Sequence, residues 1–204
     1  MHTKLTHQFI LSRRGLFTLG ALTCLMIALL GPRPAHASEH AALWQKLGDG
    51  SHFAMIRHAL APGVGDPGEF ELRDCTTQRN LNDEGRAQAQ RIGALIRANG
   101  IAVANVYSSQ WCRCLDTARL MALGDVTEMP AINSFYQRYQ NRDKQLAAFN
   151  DWLNVADLST PTILVTHQVV ISAITDGFTS SGEIVIVRRN PNGAVSLVGR
   201  VETR

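Results

Sequence analysis

The sequence predicts an α/β domain of three layers, a doubly wound and mostly parallel sheet with helices on both faces. Three observations predict it. Short apolar runs that read as buried strands alternate with longer stretches of helical spacing. Two of those runs, Phe53-Ala54-Met55-Ile56 and Ile163-Leu164-Val165, show no polar alternation, as expected of strands covered on both sides. Two further runs near the C-terminus are joined by Asn190-Pro191-Asn192-Gly193, whose composition favours a turn.

Residues 1–37 stand apart from this pattern. Ser12-Arg13-Arg14-Gly15 precedes an apolar run of about fifteen residues, and Ala35-His36-Ala37 closes the segment. A basic start, a short apolar middle and a small-x-small end make up a cleavable export signal. The paired arginines resemble the twin-arginine type. The run is short of the roughly 20 residues a spanning helix needs. The expectation is therefore a signal over 1–37, a domain over 38–204, an exported or periplasmic location and no stable membrane span after processing. An uncleaved anchor is the alternative. A lipid anchor on Cys24 lacks the small residues expected before such a cysteine.

The formal charge of +3 comes from that segment. Lys4, Arg13, Arg14 and Arg33 face no acid there, so sixteen basic residues remain against seventeen acidic ones, a net charge of −1. Nothing global points to nucleic acid as a partner. The 45% hydrophobic content is that of a chain with an ordinary core, which excludes a disordered or fibrous protein.

In chain order, residues 39–48 read as a short amphipathic helix and 52–58 as the first strand. Residues 59–80 form a long connection rich in Gly and Pro, of a length that is usually functional. Asn82 is a good N-cap with Asp83 and Glu84 in the first turn, and Asn99-Gly100 is a normal stop. Leu81, Ala89, Ile92, Leu95 and Ile96 give this helix its buried face, with Arg86, Gln88, Arg91 and Arg97 left largely to solvent or to helix ends. Residues 103–109 predict a second strand and 111–123 a second helix. Residues 126–132 predict an edge strand, since Pro130 cannot donate to a central ladder. Residues 144–153 predict a third helix with Leu146, Phe149, Trp152 and Leu153 buried. A strand over 162–166 then ends on His167, a short helix follows over 169–175, and strands over 183–188 and 194–201 complete the chain.

Beyond Cys24 three cysteines remain. Cys112 and Cys114, two apart on a helix, point about 200° apart and should not pair with each other. Cys75 with Cys112 and Cys75 with Cys114 both stay open, either worth roughly 3–4 kcal/mol on the chain-entropy estimate. A zinc site lacks histidines at ligand spacing, so no metal is expected. No organic cofactor is implied either.

The chemistry lies at the strand ends. Two strands end on histidine, His58 and His167, and a third ends on Ser108-Ser109 before a helix carrying Arg113. In a parallel sheet such ends open on one side. Arg57 and Arg113 would present planar forks that match a phosphoryl group. A neutral imidazole held in one tautomer can attack phosphorus.

These blocks resemble the histidine phosphatase superfamily, the phosphoglycerate mutase-like phosphatases that pass phosphate through a histidine. Arg57-His58-Ala59 is similar to its Arg-His-Gly motif. Leu81 to Ala89 matches its leucine-x-x-x-glycine-x-x-glutamine-alanine helix start. Ser108-Ser109-Gln110-Trp111-Cys112-Arg113 with Thr117-Ala118, and then Thr166-His167, complete four blocks in order over about residues 53–170. The resemblance implies that fold, and a phosphomonoesterase with a phosphohistidine on His58, aided by Arg57, Arg113 and His167. Arg79 and Asn80 are candidate substrate contacts. The family's acid does not carry over: Asn133-Ser134 stands where one branch has Glu, and Gln168 where another has Asp. Asp66, Glu69 and Asp74 in the long connection are the candidate acids, with Glu183 behind them. An Arg-His-Ala motif in an exported chain resembles the envelope branch acting on phosphates of lipopolysaccharide core sugars, so a small phosphorylated substrate such as an envelope sugar phosphate is implied. A non-catalytic binder of phosphorylated ligands is the alternative function.

Overall fold

The computed structural model describes residues 41–203; the export signal expected over 1–37 lies outside them. Residues 41–44 are helical, and six strands follow: β1 (His52–Arg57), β2 (Asn105–Ser108), β3 (Val126–Glu128), β4 (Thr162–Thr166), β5 (Ile184–Arg189) and β6 (Val195–Val201). They form one sheet in the order β3-β2-β4-β1-β5-β6. β3, β2, β4 and β1 run parallel, while β5 and β6 run antiparallel at the other edge. Parallel neighbours need long crossovers. Helices α1 (Asp83–Ala98), α2 (Cys112–Met121), α3 (Arg142–Val155) and α4 (Gln168–Thr175) punctuate the connections.

Strand alternation divides the core into two layers. Ala54 and Ile56 of β1 join Ile163 and Val165 of β4 in packing under Ile92 and Ile96 of α1 and Ala118 and Met121 of α2. Phe53, Met55 and Leu164 face the other way, onto Phe149 and Leu153 of α3 and Val170 and Ile171 of α4. The expected three-layer α/β class is the one observed.

The start of α1 is fixed by local chemistry. The Asn82 side chain accepts from the Gly85 amide at 2.8 Å, and Asp83 and Glu84 occupy the first turn. Gly85 is required by a close approach: a Cβ there would lie 2.0 Å from the Leu60 carbonyl oxygen. The helix thus begins hard against the loop that leaves β1.

Several boundaries differ from the sequence reading. β2 starts at Asn105, leaving Val103 exposed, and β3 stops at Glu128 because a 3-10 turn over Pro130–Ile132 replaces its second half. Leu95, Leu146 and Trp152 are half-buried where full burial was expected. Gln88, assigned to solvent, is buried. Its Oε1 accepts from the Leu60 amide at 2.9 Å, and its Nε2 donates to the Ser181 carbonyl at 2.9 Å. A buried amide with both ends satisfied costs little.

The long connection 59–80 contains one short 3-10 turn, Cys75–Thr77. It is tied down from both ends. Cys75 is disulfide-bonded to Cys112 at the start of α2, and Cys114 is a buried free thiol. Gln78 donates to the Glu71 and Leu72 carbonyls and accepts from the Cys112 amide. Among the described residues no helix is long and apolar enough to cross a membrane.

Candidate active site

The C-terminal ends of β1, β2 and β4 lie side by side. Arg57 is in register with Thr166, the His58 amide donates to the Thr166 carbonyl at 2.9 Å, and the Ser109 amide to the Val165 carbonyl at 2.9 Å. The residues just past the ladder therefore meet at one edge, and the rings of His58 and His167 come within 5.5 Å, centroid to centroid.

His58 is buried, with Nδ1 2.7 Å from the Ala59 carbonyl oxygen. A carbonyl only accepts, so Nδ1 carries the proton and Nε2 keeps the ring's lone pair. The same stretch is clamped from α2. The Thr117 hydroxyl accepts from the Ala59 amide at 3.0 Å while donating to the Arg113 carbonyl at 2.7 Å. Burial, with Arg113, Arg79 and Arg57 nearby, pushes the His58 pKa well below its ordinary value. His58 is a neutral imidazole.

Arg113 is buried on the first turn of α2. Its Nη1 donates to Asp66 Oδ1 at 2.7 Å and its Nη2 to Asp66 Oδ2 at 3.1 Å. Asp66 also accepts from Trp111 Nε1 at 3.0 Å and from the Arg79 amide at 3.1 Å. Burial alone would raise the Asp66 pKa, but these hydrogen bonds and the Arg113 charge outweigh it and hold the group below the ordinary range. Arg79 donates to the Gly65 and Ala61 carbonyls, and Arg57 Nη1 to the Thr179 carbonyl at 2.9 Å. The Nε atoms of Arg57 and Arg113 are buried without a partner. Buried donors left unpaired are costly.

His167 follows β4. Its Nδ1 lies 3.4 Å from Arg113 Nη2 and its Nε2 2.8 Å from the Ser109 hydroxyl, which donates onward to Asn133 Oδ1 at 3.2 Å. An arginine can only donate, so Nδ1 accepts and Nε2 carries the proton. Burial, followed by the same cations, depresses its pKa as well.

These groups line one pocket of about 110 Å3, with Val64, Ser134, Tyr136, Gln168 and Val169 at its walls. That is well below the roughly 300–1,000 Å3 of pockets enclosing a whole drug-sized ligand. Three guanidiniums, one carboxylate and two neutral imidazoles leave a net charge of +2, the complement of a phosphoryl dianion. Among the described residues no cluster of His, Cys, Asp and Glu could hold a metal ion.

Of the residues singled out in the sequence, His58, Arg57, Arg113, His167, Arg79 and Asp66 are brought together. The others are not. Asn80 donates to the Cys75 carbonyl within the loop. Glu69 is exposed, Asp74 caps the Cys75–Thr77 turn through Thr76, and Glu183 is held by Arg200 and the Ser180 amide. Thr179 and Tyr136 went unrecognised; each lies in a connection outside every helix and strand, so no periodic spacing marks it.

Residues 55–135 match the profile of the histidine phosphatase superfamily (branch 1). No curated protein matches the chain by sequence. Among solved structures, the protein histidine phosphatase SixA complexed with tungstate is 12% identical, with a TM-score of 0.52 over 74% of this chain and 97% of that one. An open reading frame product of Mycobacterium tuberculosis is 17% identical, with a TM-score of 0.53 over 72% and 95%. A mutant phosphoserine phosphatase of Entamoeba histolytica in complex with phosphoserine is 14% identical, with a TM-score of 0.50 over 75% and 98%. At these identities the likeness is one of fold, and it is the histidine phosphatase fold.

Proposed function

We propose that the chain is an exported phosphomonoesterase that carries the phosphoryl group on His58. The observation that supports this most is a neutral imidazole held by Ala59 with Nε2 free, in a pocket of net charge +2 lined by three guanidiniums. Nε2 attacks phosphorus in line as the ester P–O bond breaks. Arg57, Arg113 and Arg79 hold the equatorial oxygens, where charge develops. Water then attacks the phosphohistidine and returns Nε2 as orthophosphate leaves.

The leaving oxygen needs a proton, and Asp66 is the one candidate carboxyl group among the pocket's lining residues. With the pocket empty it is an anion paired with Arg113. A phosphoryl dianion on the same guanidinium competes for that charge and places a negative group beside the carboxylate. Both effects raise the Asp66 pKa and favour the protonated form. Asp66 gives its proton to the leaving oxygen and takes one back from the attacking water. The expected signal over residues 1–37 is the ground for export, and fractionation of cells checks it.

A non-catalytic binder is the second reading, favoured by one observation: the one carboxylate among the described residues lining the pocket is tied to Arg113. Stereochemistry at phosphorus tests the first. Two in-line displacements give retention of configuration on an isotopically chiral phosphorothioate ester hydrolysed in isotopically labelled water; inversion means direct attack by water and removes the phosphohistidine, and absence of turnover with retained binding favours the binder.

A further inference from the structure

The mouth of the phosphoryl pocket carries exposed apolar side chains. Val64 is 85% exposed and Tyr136 42%, and both line the pocket. The Tyr139 ring, on a residue 58% exposed, stands 6.4 Å from that of Tyr136 and 5.9 Å from that of buried Phe135, so an aromatic wall continues outward from the rim. Single exposed apolar residues are ordinary, but a cluster at a pocket mouth marks a binding surface.

This mouth is built rather than loose. Gln137, a non-glycine residue at φ +66, spans the two lips: its Oε1 accepts from the Asp66 amide at 3.1 Å and its Nε2 donates to the Asp66 carbonyl at 3.4 Å. Strained backbone of this kind persists where surrounding contacts over-determine it, and it collects at ligand clamps. Opposite, Gly65 takes φ +70, and a Cβ there would lie 3.0 Å from Gln137 Oε1. The clamp fixes Val64 and Tyr136 relative to Asp66, the proposed donor to the leaving oxygen.

Charge decides what the mouth accepts. The three guanidiniums are matched by Asp66 and the phosphoryl dianion together, so a second anion close to the ester would find no counter-charge and would meet Asp66. Arg138, from the same segment, stacks its guanidinium 4.8 Å from the centre of the Phe70 ring and is absent from the pocket lining. The uncharged polar groups at the wall, Ser134 and Gln168, suit hydroxyls.

We infer that Val64 and Tyr136 form a leaving-group subsite for an uncharged alcohol with a ring face, and that it discriminates against alcohols bearing a carboxylate a few bonds from the ester oxygen. This rests on the phosphatase reading above. The test compares four alkyl esters of similar intrinsic reactivity: benzyl phosphate, glucose 6-phosphate, phosphoserine and 3-phosphoglycerate. Phosphate release by the full chain should give the ring alcohols a kcat/KM at least about tenfold higher. Benzyl phosphate ahead of glucose 6-phosphate identifies an apolar face as the recognised feature; parity of the two identifies a ring with hydroxyls.

Tyr136→Ala should reduce kcat/KM for the ring esters about tenfold through KM, with inhibition by orthophosphate unchanged. Val64→Lys, at an exposed position, should raise kcat/KM for phosphoserine. The same ranking should appear when the four esters compete with vanadate for the His58→Ala variant, a readout independent of chemistry. Ranking kept without turnover overturns the phosphatase reading alone. A ranking that is flat or reversed overturns the subsite, as does a Tyr136→Ala variant that weakens orthophosphate as much as benzyl phosphate.

Discussion

Asp66→Asn separates two roles that the geometry allows one carboxylate to combine. The side chains of Arg113 and Asp66 are 3% and 5% exposed, and the carboxylate accepts four hydrogen bonds. Asparagine keeps one acceptor, so the Arg113 Nη1 and Arg79 amide contacts can survive. Its NH2 group faces Arg113 Nη2 and Trp111 Nε1, donor against donor, and the buried guanidinium loses its counter-ion. Removing one partner of a buried pair costs about 3–5 kcal/mol, so stability should fall by that order. The catalytic effect depends on the leaving group. Loss of a general acid costs about 10²–10⁴-fold, or roughly 2.7–5.4 kcal/mol of barrier, where the leaving oxygen must be protonated. An alkyl phosphate should therefore lose about 10²–10⁴-fold in kcat, whereas 4-nitrophenyl phosphate, whose phenolate leaves without a proton, should stay within about threefold. The assay is steady-state phosphate release across a leaving-group series at a temperature where urea unfolding shows the variant folded. Equal losses for both ends of the series would refute the proton transfer and leave Asp66 as the residue that orients Arg113.

Three further outcomes follow from the same contacts. His58 and His167 have pKa values depressed by burial, so as pH falls through about 6.5 the unfolded chain takes up protons that the folded chain does not. Thermal melts should therefore show stability falling from pH 7.5 to 5.5, less steeply in His58→Ala; a flat profile contradicts neutral buried imidazoles. Reducing Cys75–Cys112, with 37 residues of separation, should cost roughly 4 kcal/mol and about 8–16 °C in Tm. Activity should fall with it, because the freed loop carries Asp66 and Arg79; an unchanged melt in reductant contradicts this. Gly85→Ala would ordinarily gain about 1 kcal/mol of helix propensity, but the Leu60 carbonyl only 2.0 Å from the new Cβ makes the clash dominate. The expected result is a net loss of about 1–3 kcal/mol and a kcat/KM down about tenfold or more as the loop beside His58 shifts; stabilisation measured by urea titration is the opposing outcome.

The layers and the pocket floor were legible because local rules generate them. Phe53 to Ile56 lacks polar alternation since both faces of β1 are covered, and Asn82 marks the start of α1 since its side chain has an amide to cap. Strand ends then place His58 and His167 without any knowledge of the loops. Periodicity failed at Gln88 for a definable reason. It tells which helix face is apolar, and it is blind to two loops, around Leu60 and Ser181, that lie over the polar face and each satisfy one end of the amide. The choice among Asp66, Glu69 and Asp74 was equally out of reach, because the partner that selects Asp66 stands 47 residues away on α2. The cysteines show the same limit: helix geometry separates Cys112 from Cys114, but only the loop's path brings Cys75 to Cys112 and leaves Cys114 buried 3.4 Å from His167 Nε2.

A phosphohistidine on His58 underlies the whole mechanism, and trapping it tests that step without an intermediary. The full chain is mixed with a phosphate-labelled ester, quenched within a turnover and digested. The expected label is base-stable and acid-labile, maps to the peptide containing His58, and disappears in His58→Ala. Label on His167 or Ser109, or burst-free turnover that persists in His58→Ala, removes His58 as the nucleophile.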